Sequence, residues 1–206
     1  MLLRIRRNLN RIIIVKWYFS LFFLIKKVRV NPSVLFVGKI KTFLFDPGVK
    51  VSKNCCFETS SDGIIHIQDN VWLSHGIYIQ TSETVTIVKN TTIQRYTTIN
   101  GDVKISDGCI IAPNVFMSSG IHPFREYKGK TIRDQEQIII SDRGSLKSLS
   151  KSIVVGNDCW LGINVVICPG VSIGDGCVIG ANSVVTRSVS EYSIVAGSPA
   201  RVIGSR

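Results

Sequence analysis

Of the three histidines in the sequence, His122 has the context best suited to chemistry. It precedes Pro123 and stands where a regular six-residue pattern of aliphatic residues is interrupted. A neutral imidazole removes a proton readily near neutral pH, so His122 is a candidate general base, with an incidental loop histidine as the plainer alternative. Glu126 either orients this imidazole or is simply solvated, and solvation is favoured. His66 and His75 are interpreted as surface residues, although His75, at a corner of the pattern, could touch an acceptor.

The pattern that His122 interrupts places an aliphatic residue at every sixth position, and glycine often follows it directly. A period of six suits neither an α-helix nor a two-faced sheet, but it suits a chain that forms a short strand, turns a corner and repeats. The sequence therefore predicts an all-β solenoid with three-sided coils. The pattern is weak before Ile67, slips by two residues near Thr84 and Val85, and is clearest at Val155, Leu161, Ile167, Ile173, Ile179 and Val185.

The same pattern divides the chain into three parts. Residues 1–32 form a basic and apolar N-terminal segment that is predicted to be helical, and residues 33–189 form the solenoid. Within the solenoid, residues 122–152 lack the pattern and are predicted to loop outward, where solenoid proteins commonly place functional residues. Residues 190–206 form a C-terminal tail that is expected to leave the coil.

The net charge of +11 is concentrated at the N-terminus. Ten of the 25 basic residues precede Thr42, whereas the first acidic residue is Asp46, so the body of the chain is nearly neutral. This distribution argues against a nucleic-acid-binding solenoid.

The apolar stretch in residues 1–30 has three interpretations. Lys26 and Lys27 stand where a signal peptide needs a cleavage site of small residues, and Lys16 interrupts a run too short for a membrane-spanning helix. A helix lying on an anionic cytoplasmic membrane surface fits the composition. A helix packed on the solenoid or on a neighbouring subunit is the alternative.

The six cysteines indicate neither a disulfide framework nor a metal site. They form no CxxC pair, and no histidine and cysteine cluster has the spacing of zinc ligands. Cys109, Cys159 and Cys177 fall on inward positions of the pattern, where small apolar residues belong. We therefore expect buried thiols, a reducing compartment and a cytoplasmic protein.

Three motifs together resemble the hexapeptide-repeat acyltransferases over about residues 60 to 204. Within that family the resemblance is to the galactoside, maltose and xenobiotic O-acetyltransferases and their capsule and O-antigen relatives. It implies a left-handed coil, against the usual right-handed crossover. The motifs are the runs Gly156-Asn157-Asp158-Cys159-Trp160-Leu161-Gly162, Pro169-Gly170-Val171-Ser172-Ile173-Gly174-Asp175-Gly176 and Ala196-Gly197-Ser198-Pro199-Ala200-Arg201-Val202-Ile203.

The resemblance implies acetyl-coenzyme A as the donor and His122 as the catalytic base. Residues 111–120 are similar to the family segment that leads to its catalytic histidine. The family position of Trp160 is an active-site tryptophan beside the thioester, while the alternative is a plug at the base of the loop. Since no serine or cysteine has a nucleophile context, we expect direct transfer to a hydroxyl.

The resemblance also suggests binding residues. Gln94 loosely matches a polar position on the acceptor side, and the amide of Ile163 is a candidate oxyanion donor. The family acts as a homotrimer whose sites lie between subunits. The loop at 123–151 differs in length from that of the galactoside enzymes, which puts their small sugar acceptor in doubt. Positions matching the family's coenzyme A contacts are Gly162, Ile163, Ala181, Thr186, Arg187 and Arg201.

The leading hypothesis is an O-acetyltransferase that modifies a capsule or O-antigen polysaccharide, or its precursor, at the cytoplasmic membrane face. The second is a soluble acetyltransferase for a small sugar, amino sugar or antibiotic. The third is a non-catalytic binding or structural solenoid, which the adjacent threonine pairs at 91–92 and 97–98 weakly suggest.

Overall fold

The computed structural model describes residues 27–60 and 62–206, which form a left-handed parallel β-helix with three sides. This confirms the fold class that the six-residue pattern and the resemblance predict. The predicted helical segment at the N-terminus lies outside the described residues, except for its last few. The first strand begins at Arg29, four residues before the predicted start of the solenoid, and it pairs with the strand at Lys50–Val51.

Residues 27–60 and 62–206 contain twenty-two short strands. They are β1 (Arg29–Val30), β2 (Leu35–Val37), β3 (Phe43–Phe45), β4 (Lys50–Val51), β5 (Cys56–Thr59), β6 (Ile64–Ile67), β7 (Trp72–Leu73), β8 (Tyr78–Thr81), β9 (Thr84–Ile87), β10 (Thr92–Ile93), β11 (Thr98–Asn100), β12 (Val103–Ile105), β13 (Ile110–Ile111), β14 (Phe116–Ser118), β15 (Ile153–Val155), β16 (Trp160–Leu161), β17 (Val166–Ile167), β18 (Ser172–Ile173), β19 (Val178–Ile179), β20 (Val184–Val185), β21 (Ser193–Gly197) and β22 (Ala200–Ser205).

Each side of the coil is one sheet, and every third strand belongs to the same sheet. Sheet A has the order β1-β4-β7-β10-β13-β16-β19-β21-β22, and sheet B has the order β2-β5-β8-β11-β14-β17-β20. Sheet C contains β3, β6, β9, β12, β15 and β18. The chain passes from A to B to C within each coil, so the three edges of the solenoid are A/B, B/C and C/A.

The core consists of stacked inward-facing side chains, mostly aliphatic, that come from strands of all three sheets. On sheet A, Leu73, Ile93, Ile111, Leu161 and Ile179 are in register and almost fully buried. Burying one such side chain stabilises the fold by about 1.5–3 kcal/mol, and no single coil can enclose its own stack. The aliphatic positions of the six-residue pattern thus correspond to the side chains of this core.

The three edges differ in how much the lengths of their turns vary. Every turn on the A/B and C/A edges that joins two strands has four residues, whereas the B/C turns range from residues 82–83 to the long excursion 119–152. On the A/B edge, Asn114, Asn164 and Asn182 adopt positive φ values of 59° and bond to one another through their carboxamides at 3.1 and 2.9 Å. Variation in the sequence register is therefore confined to the B/C edge.

The excursion from the B/C edge contains one α-helix, α1 (Ile132–Arg143), followed by a 3-10 turn at Leu146–Leu149. The solenoid resumes at Ile153, as the sequence predicts. Among the described residues no helix has the length and apolar character needed to cross a bilayer.

The C-terminal tail does not leave the coil at residue 190, contrary to expectation. Strand β21 extends sheet A by pairing in parallel with β19, and β22 folds back on it in an antiparallel pair. Ser193 and Val195 alternate inward and are buried, so they continue the core that the pattern stops recording at Val189.

Candidate active site

The predicted base, His122, lies just beyond β14, where the chain leaves the B/C edge. Its imidazole is 74% exposed, and its Nδ1 is 2.5 Å from Oε1 of Glu136, on helix α1. The side chain of Glu136 is only 9% exposed. The excursion therefore folds back to place a buried carboxylate against the candidate base.

This contact fixes which ring nitrogen of His122 carries a proton. An ionised carboxylate only accepts hydrogen bonds, so Nδ1 must be the donor to Glu136. In the neutral ring the lone pair then lies on Nε2, the nitrogen on the opposite side. Nε2 is the atom that can remove a proton, and the carboxylate stabilises the imidazolium that results.

Arg133 holds the second oxygen of the same carboxylate. Its guanidinium donates to Oε2 of Glu136 at 2.7 Å, one turn away along α1. The hydrogen bond from His122, followed by that from Arg133, lowers the pKa of Glu136 below its ordinary value. Glu136 is thus ionised at neutral pH and serves as the acceptor for the imidazole.

Local signals explain why α1 forms where it does. Thr131 caps its N-terminus by accepting from the amide of Asp134, and Gly144 ends it with a φ of 76°. Gln135 ties the helix to the preceding turn by accepting from the Tyr127 amide, and Ile139 is fully buried. Sequence reasoning missed this helix and Glu136, although the capping pair and the glycine stop were readable signals.

A cavity of about 650 Å³ lies between the excursion and the solenoid beside His122. Its solenoid wall is polar and includes Gln80, Asn100 and Ser118, which are neighbours across β8, β11 and β14. Its opposite wall carries the apolar Ile140 and Leu146. One polar and one apolar wall suit a ring with hydroxyl groups at its rim and C–H bonds on its face.

Asn100 is the residue of this wall that has an unsatisfied hydrogen-bonding group. Its Oδ1 is buried and has no hydrogen-bond partner among the described residues. Leaving a buried acceptor without a donor costs about 1–3 kcal/mol. If the Asn100 side chain turns so that Oδ1 points into the cavity, a hydroxyl or amide of a bound molecule would supply that donor.

The register slip near Thr84 and Val85 also contributes to the cavity. The structure places the slip at Ser82 and Glu83, a short B/C turn that joins β8 to β9, and both residues line the cavity. Glu83 accepts from the hydroxyl of Ser150 at the end of the excursion, 2.9 Å away. The slip thus has a structural role that its sequence alone did not reveal.

Glu126 is exposed, and its carboxylate accepts from the amide of Arg125. That hydrogen bond lowers the pKa of Glu126. The partner of His122 is therefore Glu136, and solvation describes Glu126 correctly.

Trp160 lies on strand β16 of sheet A and not at a corner of the coil. Its side chain is 52% exposed and faces outward beside Ile110 on the neighbouring strand. His122 leaves the solenoid from the B/C edge instead. Within one chain, the structure does not bring these two candidate residues to the same edge.

The remaining candidates also fall on two edges. Gln94, Gly162, Ile163 and Ala181 belong to the A/B edge, where successive coils hydrogen-bond through their backbones. Thr186 and Arg187 lie between β20 and Val189, which bridges to sheet C, and therefore share the B/C edge with His122.

Arg201 is exposed on strand β22 of sheet A. Its guanidinium donates to the carbonyl of the preceding Ala200 at 2.9 Å.

Packing explains Gly162 without a ligand. A Cβ at this position would lie 2.7 Å from the amide nitrogen of Ala181 in the next coil, which is too close for any side chain. The Gly162 amide also donates to the carbonyl of Ile179 at 2.8 Å, so it is already used within the solenoid.

The other two histidines have partners away from the excursion. His66 contacts Asp46 at 3.0 Å, and the ring of His75 meets Tyr96 edge-on with centroids 5.3 Å apart. Residues 27–60 and 62–206 contain no cluster of three or more histidine, cysteine, aspartate or glutamate side chains placed to hold a metal ion.

Comparison with known proteins agrees with the architecture. The bacterial transferase hexapeptide family (six repeats) matches residues 152–187. The chain is 35% identical over 139 residues to galactoside O-acetyltransferase of Escherichia coli K12, covering 66% of this chain and 62% of that protein. It is 33% identical over 141 residues to the putative lipopolysaccharide biosynthesis O-acetyl transferase WbbJ of the same organism, covering 68% and 60%. The chain thus spans about three fifths of the length of these curated relatives.

Among solved structures, the fold is similar to a hexapeptide-repeat-containing acetyltransferase of Vibrio cholerae O1 biovar eltor, determined in complex with acetyl coenzyme A. The sequence identity is 26% and the TM-score is 0.52, over 69% of this chain and 70% of that one. The resemblance found in the sequence motifs is therefore confirmed by sequence and by structure.

Proposed function

Because the chain shares its repeat and its coil with the hexapeptide-repeat acyltransferases, we propose that it is an acetyl-coenzyme A-dependent O-acetyltransferase. The observation that carries the proposal is the pairing of His122 with Glu136 at the rim of the cavity. The sequence similarity to O-acetyltransferases supports transfer to oxygen. The acceptor is a sugar hydroxyl of a surface polysaccharide or of its precursor.

The chemical step follows from the geometry of the imidazole. The hydroxyl oxygen attacks the acetyl carbonyl carbon while Nε2 of His122 takes the hydroxyl proton. The C–S bond then breaks, the acetyl group remains on the sugar oxygen, and the imidazolium gives its proton to the departing thiolate. Glu136 keeps Nδ1 protonated throughout and offsets the positive charge of the ring.

The acceptor binds in the cavity, with the polar wall contacting its hydroxyl groups. Gln80 and Asn100 offer carboxamides, which both donate and accept hydrogen bonds. When the Asn100 side chain turns toward the cavity, its Oδ1 takes its missing donor from the sugar. Ile140 packs on the apolar face of the ring. The cavity is open to solvent at His122, whose side chain is mostly exposed, so a sugar within a longer chain can enter.

The donor site is completed by a neighbouring subunit. Candidate residues for acetyl-coenzyme A occupy both the A/B edge and the B/C edge, and sheet B separates these two edges on one solenoid. In a homotrimer, the A/B edge of one subunit, with Trp160 nearby, can face His122 of the next. This arrangement reconciles the two groups of candidates in one shared site.

We further propose that the protein acts in the cytoplasm at the inner face of the membrane, with residues 1–30 as a peripheral contact. The basic and apolar composition of this segment supports the location.

The test is the release of free coenzyme A from acetyl-coenzyme A by the full chain, against capsule and O-antigen fragments, simple sugars, amino sugars and antibiotics. We expect turnover with a glycan and a loss of about 10²–10⁴-fold in kcat/KM for His122→Ala. His66→Ala is the matched control and should retain activity. Turnover of simple sugars or antibiotics alone would favour a small-molecule enzyme, and an undiminished rate in His122→Ala would remove the histidine from its role.

A further inference from the structure

The net charge of the protein resides in residues 1–53. Beyond residue 53 the chain has 13 basic and 13 acidic residues, so its net charge there is zero. Residues 27–53, which the structure describes, contain six basic residues and one acidic residue, Asp46. The carboxylate of Asp46 contacts His66. The first coil and the start of the second are thus strongly cationic, while the remainder of the solenoid is neutral.

These six basic side chains surround the end of the solenoid. All six are exposed, and none forms an ion pair with an acidic side chain in residues 27–60 and 62–206. They are distributed over all three edges and one face. Lys27 precedes sheet A at the C/A edge, Arg29 and Lys50 are neighbours on sheet A, Lys53 is on the A/B edge, and Lys39 and Lys41 are on the B/C edge.

Exposed apolar side chains accompany the cations at the same end. Ile40 is 45% exposed between the two lysines of the B/C edge, and Leu44 is 43% exposed on sheet C. On the opposite side, Lys27, Arg29 and Lys50 line a depression of about 360 Å³ in which Asp69 is the only acidic side chain among the lining residues. Lysines beside exposed aliphatic residues are the composition of surfaces that rest on anionic lipid.

From this arrangement we propose that the N-terminal end of the solenoid docks end-on against an anionic lipid bilayer. The six basic side chains surround the end of the solenoid, so all of them can contact a flat surface that is perpendicular to its axis. An extended polyanion bound along one side of the solenoid would contact only some of them. Residues 1–26 precede Lys27 in the chain and add six basic residues and no acid. Charge complementarity and chain direction therefore indicate the same partner.

The proposal does not depend on the acetyltransferase activity. Lysines on edge strands also prevent strands of two molecules from pairing, and that simpler role would leave membrane binding unaffected by their removal. If the solenoid docks end-on, each of the six basic residues in 27–53 contributes to the affinity for the anionic surface, by about fivefold per charge.

The test is co-sedimentation of the full chain with vesicles of phosphatidylcholine and phosphatidylserine, compared with pure phosphatidylcholine. We expect Lys39→Gln with Lys41→Gln, and separately Arg29→Gln with Lys50→Gln, to weaken binding to the mixed vesicles by about fivefold for each charge removed. Lys128→Gln with Lys130→Gln, a pair of exposed lysines with the same spacing in the excursion, should bind as the wild type does. Circular dichroism establishes that each variant is folded.

Hydrogen exchange on the vesicles tests the orientation, with protection expected at β1, β2 and β3 but not at β18, β19 and β20. Three results would overturn the proposal. Coil variants that bind vesicles like the wild type would assign all binding to residues 1–26. Variants that lose binding to dextran sulfate but keep binding to vesicles would indicate an acidic glycan as the partner. Protection spread evenly along the solenoid would exclude end-on docking.

Discussion

Nδ1 of His122 lies 2.5 Å from Oε1 of Glu136, a residue from a different part of the same excursion. Because the carboxylate can only accept, this contact assigns the proton to Nδ1 and leaves Nε2 as the nitrogen able to take up a proton. The position of the helix thus determines the chemistry of the histidine.

Replacing Glu136 by glutamine should impair catalysis more than its small change in size suggests. The glutamine amide can donate to Nδ1, which would move the ring proton to Nε2 and remove the base. We expect Glu136→Gln to lower kcat by about 100-fold or more, with little change in KM for acetyl-coenzyme A. Steady-state kinetics will measure this, and Glu126→Gln is the matched control. A variant with wild-type kcat would show that Glu136 does not set the tautomer.

The same pair should make stability depend on pH in the acid range. The folded-state pKa of Glu136 is lowered by His122 and Arg133. Its stabilising effect is therefore full above the unfolded value of about 4.3 and is lost as the pH falls through the folded value. The Tm difference between wild type and Glu136→Gln should be present at neutral pH and vanish in acid. Thermal unfolding at a series of pH values will show this, and a difference that stays constant would contradict it.

Asn100→Ala should weaken acceptor binding without affecting the chemical step. Its Oδ1 is buried without a partner and would gain one from the acceptor when the side chain turns toward the cavity. We expect KM for the acceptor to rise by about three- to tenfold with kcat nearly unchanged. Thr98→Ala, on the same strand and facing the same side, is the control. Equal KM values for the two variants would argue that the acceptor lies elsewhere.

Gly162→Ala should destabilise the solenoid even without a ligand. The added Cβ would lie 2.7 Å from the amide nitrogen of Ala181, so the two coils must separate. We expect a loss of about 1–3 kcal/mol in the free energy of unfolding. At Gly120 the nearest atom to an added Cβ is Ser118 Oγ at 3.9 Å, so Gly120→Ala should change stability by less than about 0.5 kcal/mol. Chemical denaturation distinguishes them, and equal stabilities would contradict the packing explanation.

The cysteines should react with a thiol reagent in two classes. Cys56 and Cys168 are half-buried, whereas Cys55, Cys109, Cys159 and Cys177 are buried, and burial raises the pKa of the Cys55 and Cys177 thiols. We expect two thiols to be labelled in the native protein and four more only after unfolding. Mass spectrometry of labelled peptides will identify them. Early labelling of Cys177 would indicate that the last coils open readily.

The solenoid and its core could be read from the sequence because each coil repeats the same local rule. Ile111, Leu161 and Ile179 are aliphatic residues that lie in register in one stack. A single six-residue period therefore predicts all three. His122 was found because it stands where that period stops. Glu136 was not found, since its role arises from a helix whose position relative to the coil is a tertiary matter. Asn100 escaped notice for a similar reason, because only the folded chain places it in the wall of the cavity.

The turns between strands vary in length only on the B/C edge. The A/B and C/A turns that join two strands all keep one length, whereas B/C turns of very different length leave the core stacks aligned. The B/C edge also carries the walls of the cavity and the candidate base. Insertions and deletions at this edge can therefore reshape the cavity while the scaffold that supports it stays the same.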